Sequence, residues 1–188
     1  MIFTKSLLFT GWIVTLGSTA QAGYSFVDDY SLRLQAEQAQ HVLSPQVYRP
    51  GMSFLYTESF IGRRTRIVDI VKVDSKEIQY RERYIFTRLA KCEGRIERET
   101  GRELEFSCNG VKGPTTDRQP IAFTHHGTKV IETEKGKLEA HELRFTGSMG
   151  AQGPSQDTVY ISELAPGPGV IYHVSVDGKE QMTSEWLD

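Results

Sequence analysis

From Arg49-Pro50-Gly51 onward the chain is a succession of short runs rich in β-branched and aromatic residues, each cut off by a turn residue. That pattern constrains the fold more than anything else in the sequence. Strands joined by tight turns pair with their chain neighbours, whereas parallel strands need long crossovers that are usually helical. The runs are Met52 to Ser59, Arg64 to Val73, Ile78 to Thr87, Ile121 to His125, Thr128 to Glu134, Lys137 to Phe145, Thr158 to Glu163, Val170 to Val176 and Glu180 to Trp186. Gly62, Asp74-Ser75, Lys135-Gly136 and Asp177-Gly178 punctuate them, the last a type I′ hairpin signal. One helix is expected, over 31–43, where Leu32, Ala36, Ala39 and Leu43 form a single apolar stripe, Ser31 caps and Ser44-Pro45 stops it. The expected class is therefore mainly β: a curved antiparallel sheet or incomplete β-barrel with one N-terminal α-helix. Gly147 to Gln156 holds no core residue except Met149 and is expected to be a mobile loop.

Residues 1–22 do not belong to that pattern. Lys5 is followed by an apolar run from Ser6 to Leu16, and Ala20-Gln21-Ala22 puts small residues at a cleavage site. This is the layout of a secretory signal peptide. The run is too short to cross a bilayer, which needs about 20 apolar residues, and no later segment is long enough. The expectation is a periplasmic chain starting at Gly23, one β-rich domain over 23–188, and an oxidising compartment. The 188 residues carry 22 basic and 24 acidic side chains. That balance lacks the basic excess of a nucleic-acid binder.

Cys92 and Cys108 are the only cysteines, and in an exported protein an even pair reads first as a disulfide. The flanking residues sharpen this. Glu99-Thr100-Gly101 is expected to be a three-residue turn with Gly101 left-handed. Leu104 then faces Ile96, Phe106 faces Gly94 and covers its backbone, and Cys108 faces Cys92. The opposite face is Arg95, Glu97, Glu103 and Glu105, charged and solvated. Strict alternation from this turn would put the cysteines at a hydrogen-bonded pair, where bridging is harder; a five-residue turn keeps the same register and avoids that.

The search for reactive groups finds no catalytic motif. Asp69, Glu82, Glu132, Glu139 and Glu142 offer carboxylates but no pair that stands out as acid and base. No serine has a nucleophile-elbow context. Adjacent His125 and His126 point to opposite faces of a strand, so a metal site there would need His141 or His173 to fold close. No metal and no cofactor are expected, and no enzyme activity. Arg63-Arg64-Thr65-Arg66 reads as a solvated strand end or a contact for an acidic partner.

The aromatic residues are more informative. Phe54 and Tyr56 alternate on one strand, Tyr80, Tyr84 and Phe86 lie on one face of another, and Tyr172 stands among Val170, Val174 and Val176. Strands of this kind build a curved sheet with an apolar concave side. Two outcomes stay open: the rings pack on the helix as core, or Phe54, Tyr56, Tyr84, Phe86 and Tyr172 line a cavity for an apolar ligand.

Three stretches carry a family resemblance. Tyr48 to Tyr56 is similar to an "R-x-G-x-x-W/F-x-Y" strand opening. Glu134 to His141 is similar to a "P-x-G-x-F-x-A" hairpin, with Lys135 in place of the proline and Leu138 in place of the aromatic. Val159-Tyr160-Ile161-Ser162 through Pro166 and Gly169-Val170, on to Ser184–Asp188, is similar to a "W-x-S-x-x-V-P-x-G-V-V-K … E-L" ending. Together they resemble the uncharacterised bacterial periplasmic DUF3108-like family, itself similar to the LolA-like lipoprotein-carrier architecture. The resemblance implies an incomplete antiparallel barrel closed by helix, a periplasmic location, and handling of apolar ligands or lipoproteins. The Cys92–Cys108 hairpin stands outside that pattern.

The function expected from sequence is thus an exported, non-enzymatic periplasmic protein that binds or carries an apolar small molecule, lipid or lipoprotein in its concave sheet. The alternative is a structural or accessory protein of an envelope assembly, acting through protein contacts. A continuous apolar cavity would favour the first, and a solid core the second.

Overall fold

The computed structural model describes residues 25–40, 43–60, 62–85, 90–115, 123–133, 136–146, 156–165, 167–176 and 179–186. The signal-like residues, and Phe86, lie outside them. So do residues 147–155 of the expected mobile loop, while Gln156 already belongs to a strand.

The helix begins where the chain can cap it. Ser25 and Asp28 form a reciprocal capping box: the Ser25 amide and hydroxyl both donate to Asp28 Oδ2 at 2.8 Å, and the Asp28 amide donates back to Ser25 Oγ at 3.4 Å. Asp28 and Asp29 also set negative charge at the positive end of the helix dipole. The resulting helix, α1, spans Phe26–Gln40. It starts more than a turn before the expected 31–43, and Ser31 is interior to it rather than its cap. The stripe of Leu32 and Ala36 extends back to Phe26, Val27 and Tyr30, all buried. Leu43 is buried as well, but beyond the end of α1.

Eleven strands follow among the described residues: β1 Ser53–Phe60, β2 Gly62–Val73, β3 Glu77–Ile85, β4 Ala90–Glu97, β5 Glu103–Cys108, β6 Val111–Lys112, β7 Phe123–Thr133, β8 Gly136–Thr146, β9 Gln156–Ile161, β10 Val170–Val176 and β11 Lys179–Trp186. They form one antiparallel sheet in the order β6-β5-β4-β3-β2-β1-β11-β10-β9-β8-β7. The last strand pairs with the first, so both halves hang from the β1–β11 seam. The sheet is not closed into a barrel; β6 and β7 are its two edges. The two runs expected at 121–125 and 128–134 are one strand, β7, interrupted by a register shift between His125 and Thr128. The hairpin breaks fall where Thr133 pairs with Gly136 and Val176 with Lys179. Residues 134–135 and Asp177-Gly178 themselves lie outside the described residues.

How far the sheet curls follows from what α1 touches. β4 and β9 are six places apart in the sheet, about 29 Å if it were flat. Ser31 Oγ donates to the Gly101 carbonyl beyond β4 at 3.1 Å, and Arg33 Nη1 donates to the Ser162 carbonyl beyond β9 at 3.4 Å. A helix about 10–12 Å across can join both flanks only if the sheet wraps around it. Tyr30 Oη and Gln38 Nε2 add bonds to the Arg98 and Glu99 carbonyls on the β4 flank.

The core forms between α1 and the concave face. Alternation sends Phe54 and Tyr56 of β1, Val68 and Ile70 of β2, Ile78 and Tyr80 of β3 and Ile96 of β4 inward against Phe26, Val27, Tyr30 and Tyr48. Ring centroids lie 5.0 Å apart for Phe26–Tyr80, 5.4 Å for Tyr30–Tyr48 and 6.5 Å for Tyr48–Phe54, within the range of favourable aromatic pairing.

Cys92 and Cys108 form a disulfide across β4 and β5, in the register the hydrophobic pattern demands. Several details of that hairpin differ from expectation, its turn among them, which runs over residues 98–101 with the Glu97 amide donating to the Arg102 carbonyl at 2.8 Å. Leu104 is an extra residue in β5, so Ile96 pairs with Glu103. Glu103 thereby turns inward and is buried, while Leu104 is only half-buried. The same bulge changes the alternation, so the Asn109 amide bonds the Lys91 carbonyl (2.7 Å) and the cysteines occupy the closer, non-hydrogen-bonded kind of pair, Cα to Cα 4.0 Å. Gly101 is left-handed as expected, at φ +72°, and a Cβ there would meet Ser31 Oγ at 2.9 Å.

Candidate functional site

The rings expected to line a cavity have unequal surroundings. Phe54 and Tyr56 are both buried. Phe54 is walled by Tyr48 and by the loop after β9, where a Cβ on Gly167 would fall 2.9 Å from its ring. Residues 167–169 of that loop are buried, Gly167 against the Phe54 ring. Tyr56 lies beneath Arg66, whose guanidinium carbon sits 4.4 Å from the ring centroid. Tyr84 is half-buried near the end of β3 and donates to Glu82 Oε2 at 3.2 Å. Tyr172 is in register with Val159 and Ser184.

Between these rings and the start of α1 lies a buried charged cluster that the sequence reading missed. Arg66 is fully buried, not part of a solvated strand end. Its Nη2 is 2.7 Å from Asp29 Oδ2, and its Nη1 is 3.5 Å from Glu82 Oε1. Asp29 and Glu82 are equally inaccessible. Glu82 Oε1 also accepts the Phe26 amide, the first free donor of the helix. The cluster joins β2, β3 and α1 through charge-assisted bonds. Its signal was present in the alternation: Arg66 shares parity with Val68 and Ile70, and Glu82 with Ile78 and Tyr80. Next to it, the buried Glu103 carboxylate faces Tyr80. Burial, with Glu82 and Glu103 adding to it, pushes the Tyr80 phenol far above its ordinary range.

The second cluster is at the other end of the sheet. Gly127, at φ +85°, makes a bulge in which His126 and Gly127 together oppose Glu142. Across it His125 pairs with Leu143 and Thr128 with His141. His125 and His141 therefore share the face of buried Leu143. Their rings lie 5.4 Å apart, with His125 Nε2 3.4 Å from His141 Nδ1. Both are half-buried, and His126 is exposed. Burial and the neighbouring His125 push the His141 imidazole below its ordinary pKa, against the pull of Glu163 and Glu139. Glu142 is fully buried between Lys129 and Arg144, with Arg144 Nη2 at 2.6 Å. Those cations hold its carboxyl below the usual range although burial opposes them.

An open surface cleft of about 430 Å³ runs along β5, lined by Arg95, Glu105 and Lys112 with Leu104 and Phe106. Its charges are already paired, Glu105 with Lys112 at 3.1 Å and with Arg95 at 3.2 Å. Among the described residues, no group of three or more His, Cys, Asp and Glu comes together to hold a metal, and no helix is long and apolar enough to cross a membrane. Set against protein-family models, curated proteins and solved structures, the chain has no significant match in any of the three.

Proposed function

We infer that this is an exported, non-enzymatic accessory protein of the cell envelope that acts through contacts with other proteins. The observation that carries this reading is the packing of the start of α1 against the concave face of β1–β4, where the described aromatic rings are buried. α1 is also bonded to the sheet on both flanks and tied in by the Asp29–Arg66 pair. A carrier needs an apolar space that its cargo can enter, and here Phe54 and Tyr56 spend their surface on the helix, Tyr48 and the loop after β9. The sheet edges β6 and β7, with exposed Val111 and Val130, offer surfaces for protein contact. The signal-like residues 1–22 support export to the periplasm, and the disulfide fits an oxidising compartment.

The competing function is carriage of an apolar ligand or lipoprotein against Phe54, Tyr56, Tyr84, Phe86 and Tyr172. What favours it is the open barrel with the half-buried Tyr84 ring towards one end of the concave face. Native mass spectrometry of protein purified from its own periplasm, with titration by a fluorescent fatty acid, separates the two. The accessory reading expects the bare mass of the mature chain and no saturable probe binding. A copurifying lipid, or probe binding lost in Tyr84→Ala, would replace it by the carrier.

A further inference from the structure

We propose that His125 and His141 form a two-histidine site for a divalent transition metal of the zinc class. The two rings face each other through His125 Nε2 and His141 Nδ1, 3.4 Å apart, a long hydrogen bond between the metal-free rings. Two imidazole nitrogens each about 2.0–2.1 Å from a tetrahedral metal stand about 3.4 Å from one another. The backbone is arranged to give this spacing. The bulge at His126-Gly127 breaks the ladder next to His125, and only a glycine takes the φ of +85° without strain. Such bulges re-aim a neighbouring side chain, and here the two rings meet diagonally across β7 and β8.

The site spans the edge strand β7 and its neighbour β8, with both rings half-buried, so a metal from solvent can reach it. Buried Leu143 in register with His125, and buried Ile161 in register with His141, give one apolar wall. With no third ligand among the described residues, water completes the coordination. That makes a weak, exchangeable site rather than a structural one, which would have four protein ligands. Imidazole ligands in a tetrahedral arrangement select zinc over magnesium or calcium.

The test titrates Zn2+ into the purified mature protein by calorimetry and Co2+ by visible absorption, whose band strength reports tetrahedral geometry. One equivalent of either metal is expected. His125→Gln and His141→Gln should each weaken binding by about tenfold or more, while His126→Gln should not change it. The unmodified protein supplies a second readout that does not depend on a variant folding. Zinc should shift the ring resonances of His125 and His141 together and leave His126 unmoved. Zinc binding as tight in the double variant, or shifts confined to other histidines or the chain terminus, would overturn the proposal.

Discussion

Arg66, on the second strand, reaches Asp29 in the first turn of the helix at 2.7 Å, and neither side chain has any exposure. Pairs of this kind add little net stability when intact but cost a great deal when halved, because the remaining charge stays buried and alone. Arg66→Met should therefore lower unfolding stability by about 3–5 kcal/mol. Adding Asp29→Asn should restore part of the loss, since the two changes remove one shared interaction. Urea unfolding of the three variants at neutral pH checks this. A loss from Arg66→Met of under about 1 kcal/mol, the size expected of a surface pair, would mean that the cluster does not lock the helix down.

Tyr80, not Phe106, covers the backbone at Gly94. A Cβ placed there would meet the Tyr80 hydroxyl and the Glu105 carbonyl oxygen, each at 2.7 Å. Replacing glycine by alanine ordinarily gains about 0.4–1 kcal/mol from the stiffer unfolded chain. Overpacking a tight site costs about 1–3 kcal/mol, and with a backbone atom in the way the clash wins. Gly94→Ala should thus destabilise the protein by about 1–2 kcal/mol in denaturant melts. The same change made on Tyr80→Ala should cost less, because only the Glu105 carbonyl is still in the way.

The fold was legible in the sequence because its signals are local and periodic. Alternation in β2, β3 and β10, and the pattern around Cys92 and Cys108, specify strands and partners within a few residues of each other. What was missed depends on single insertions and on burial. The extra residue at Leu104 exchanges the faces of Glu103 and Leu104, and no pattern in a charged strand announces a bulge. Arg66 has the parity of Val68 and Ile70, but its charge and its neighbours Arg63 and Arg64 argued for solvent until Asp29 came across from the helix. Ser25 and Asp28 have the spacing of a capping box, but the stripe of Leu32, Ala36, Ala39 and Leu43 by itself places the helix start more than a turn too late. His125 and His141 meet only through the Gly127 bulge, 16 residues apart in the chain.

The Cys92–Cys108 bond closes a hairpin with a sequence separation of 16, a loop worth about 3 kcal/mol in the chain-entropy model. Its strands are also held by their ladder and by the contact of Gly101 with Ser31. Reduction, or replacement of both cysteines by serine, should lower stability by about 2–4 kcal/mol and leave the circular dichroism spectrum unchanged. Titration with a thiol reagent checks the premise. Two thiols reacting in the native, unreduced protein would exclude the bond.

The rings of Tyr30 and Tyr48 lie 5.4 Å apart, tilted by 55°, but their hydroxyls have opposite fates. Tyr30 Oη donates to the Arg98 carbonyl at 2.8 Å, whereas the buried Tyr48 hydroxyl meets no partner. Tyr30→Phe should cost about 0.5–1.5 kcal/mol, one hydrogen bond, while Tyr48→Phe should be neutral or stabilising because it removes a desolvated group. The two also bear on alkaline stability. Burial, partly offset by Arg98, pushes the Tyr30 phenol up to about 12 from an ordinary 10, and burial pushes Tyr48 well up too. A folded-state pKa above the unfolded value means a contribution that is complete below pH 10 and is lost as pH rises through about 12. Stability measured across that window should fall steadily, and the fall should be shallower in Tyr30→Phe, which has no phenol to ionise there. Phenolate absorbance followed through the same titration gives the direct check: Tyr30→Phe should remove one late-ionising phenol. If the lost phenol instead titrates at its ordinary value, the ring is open to water, and α1 does not seal this face of the sheet.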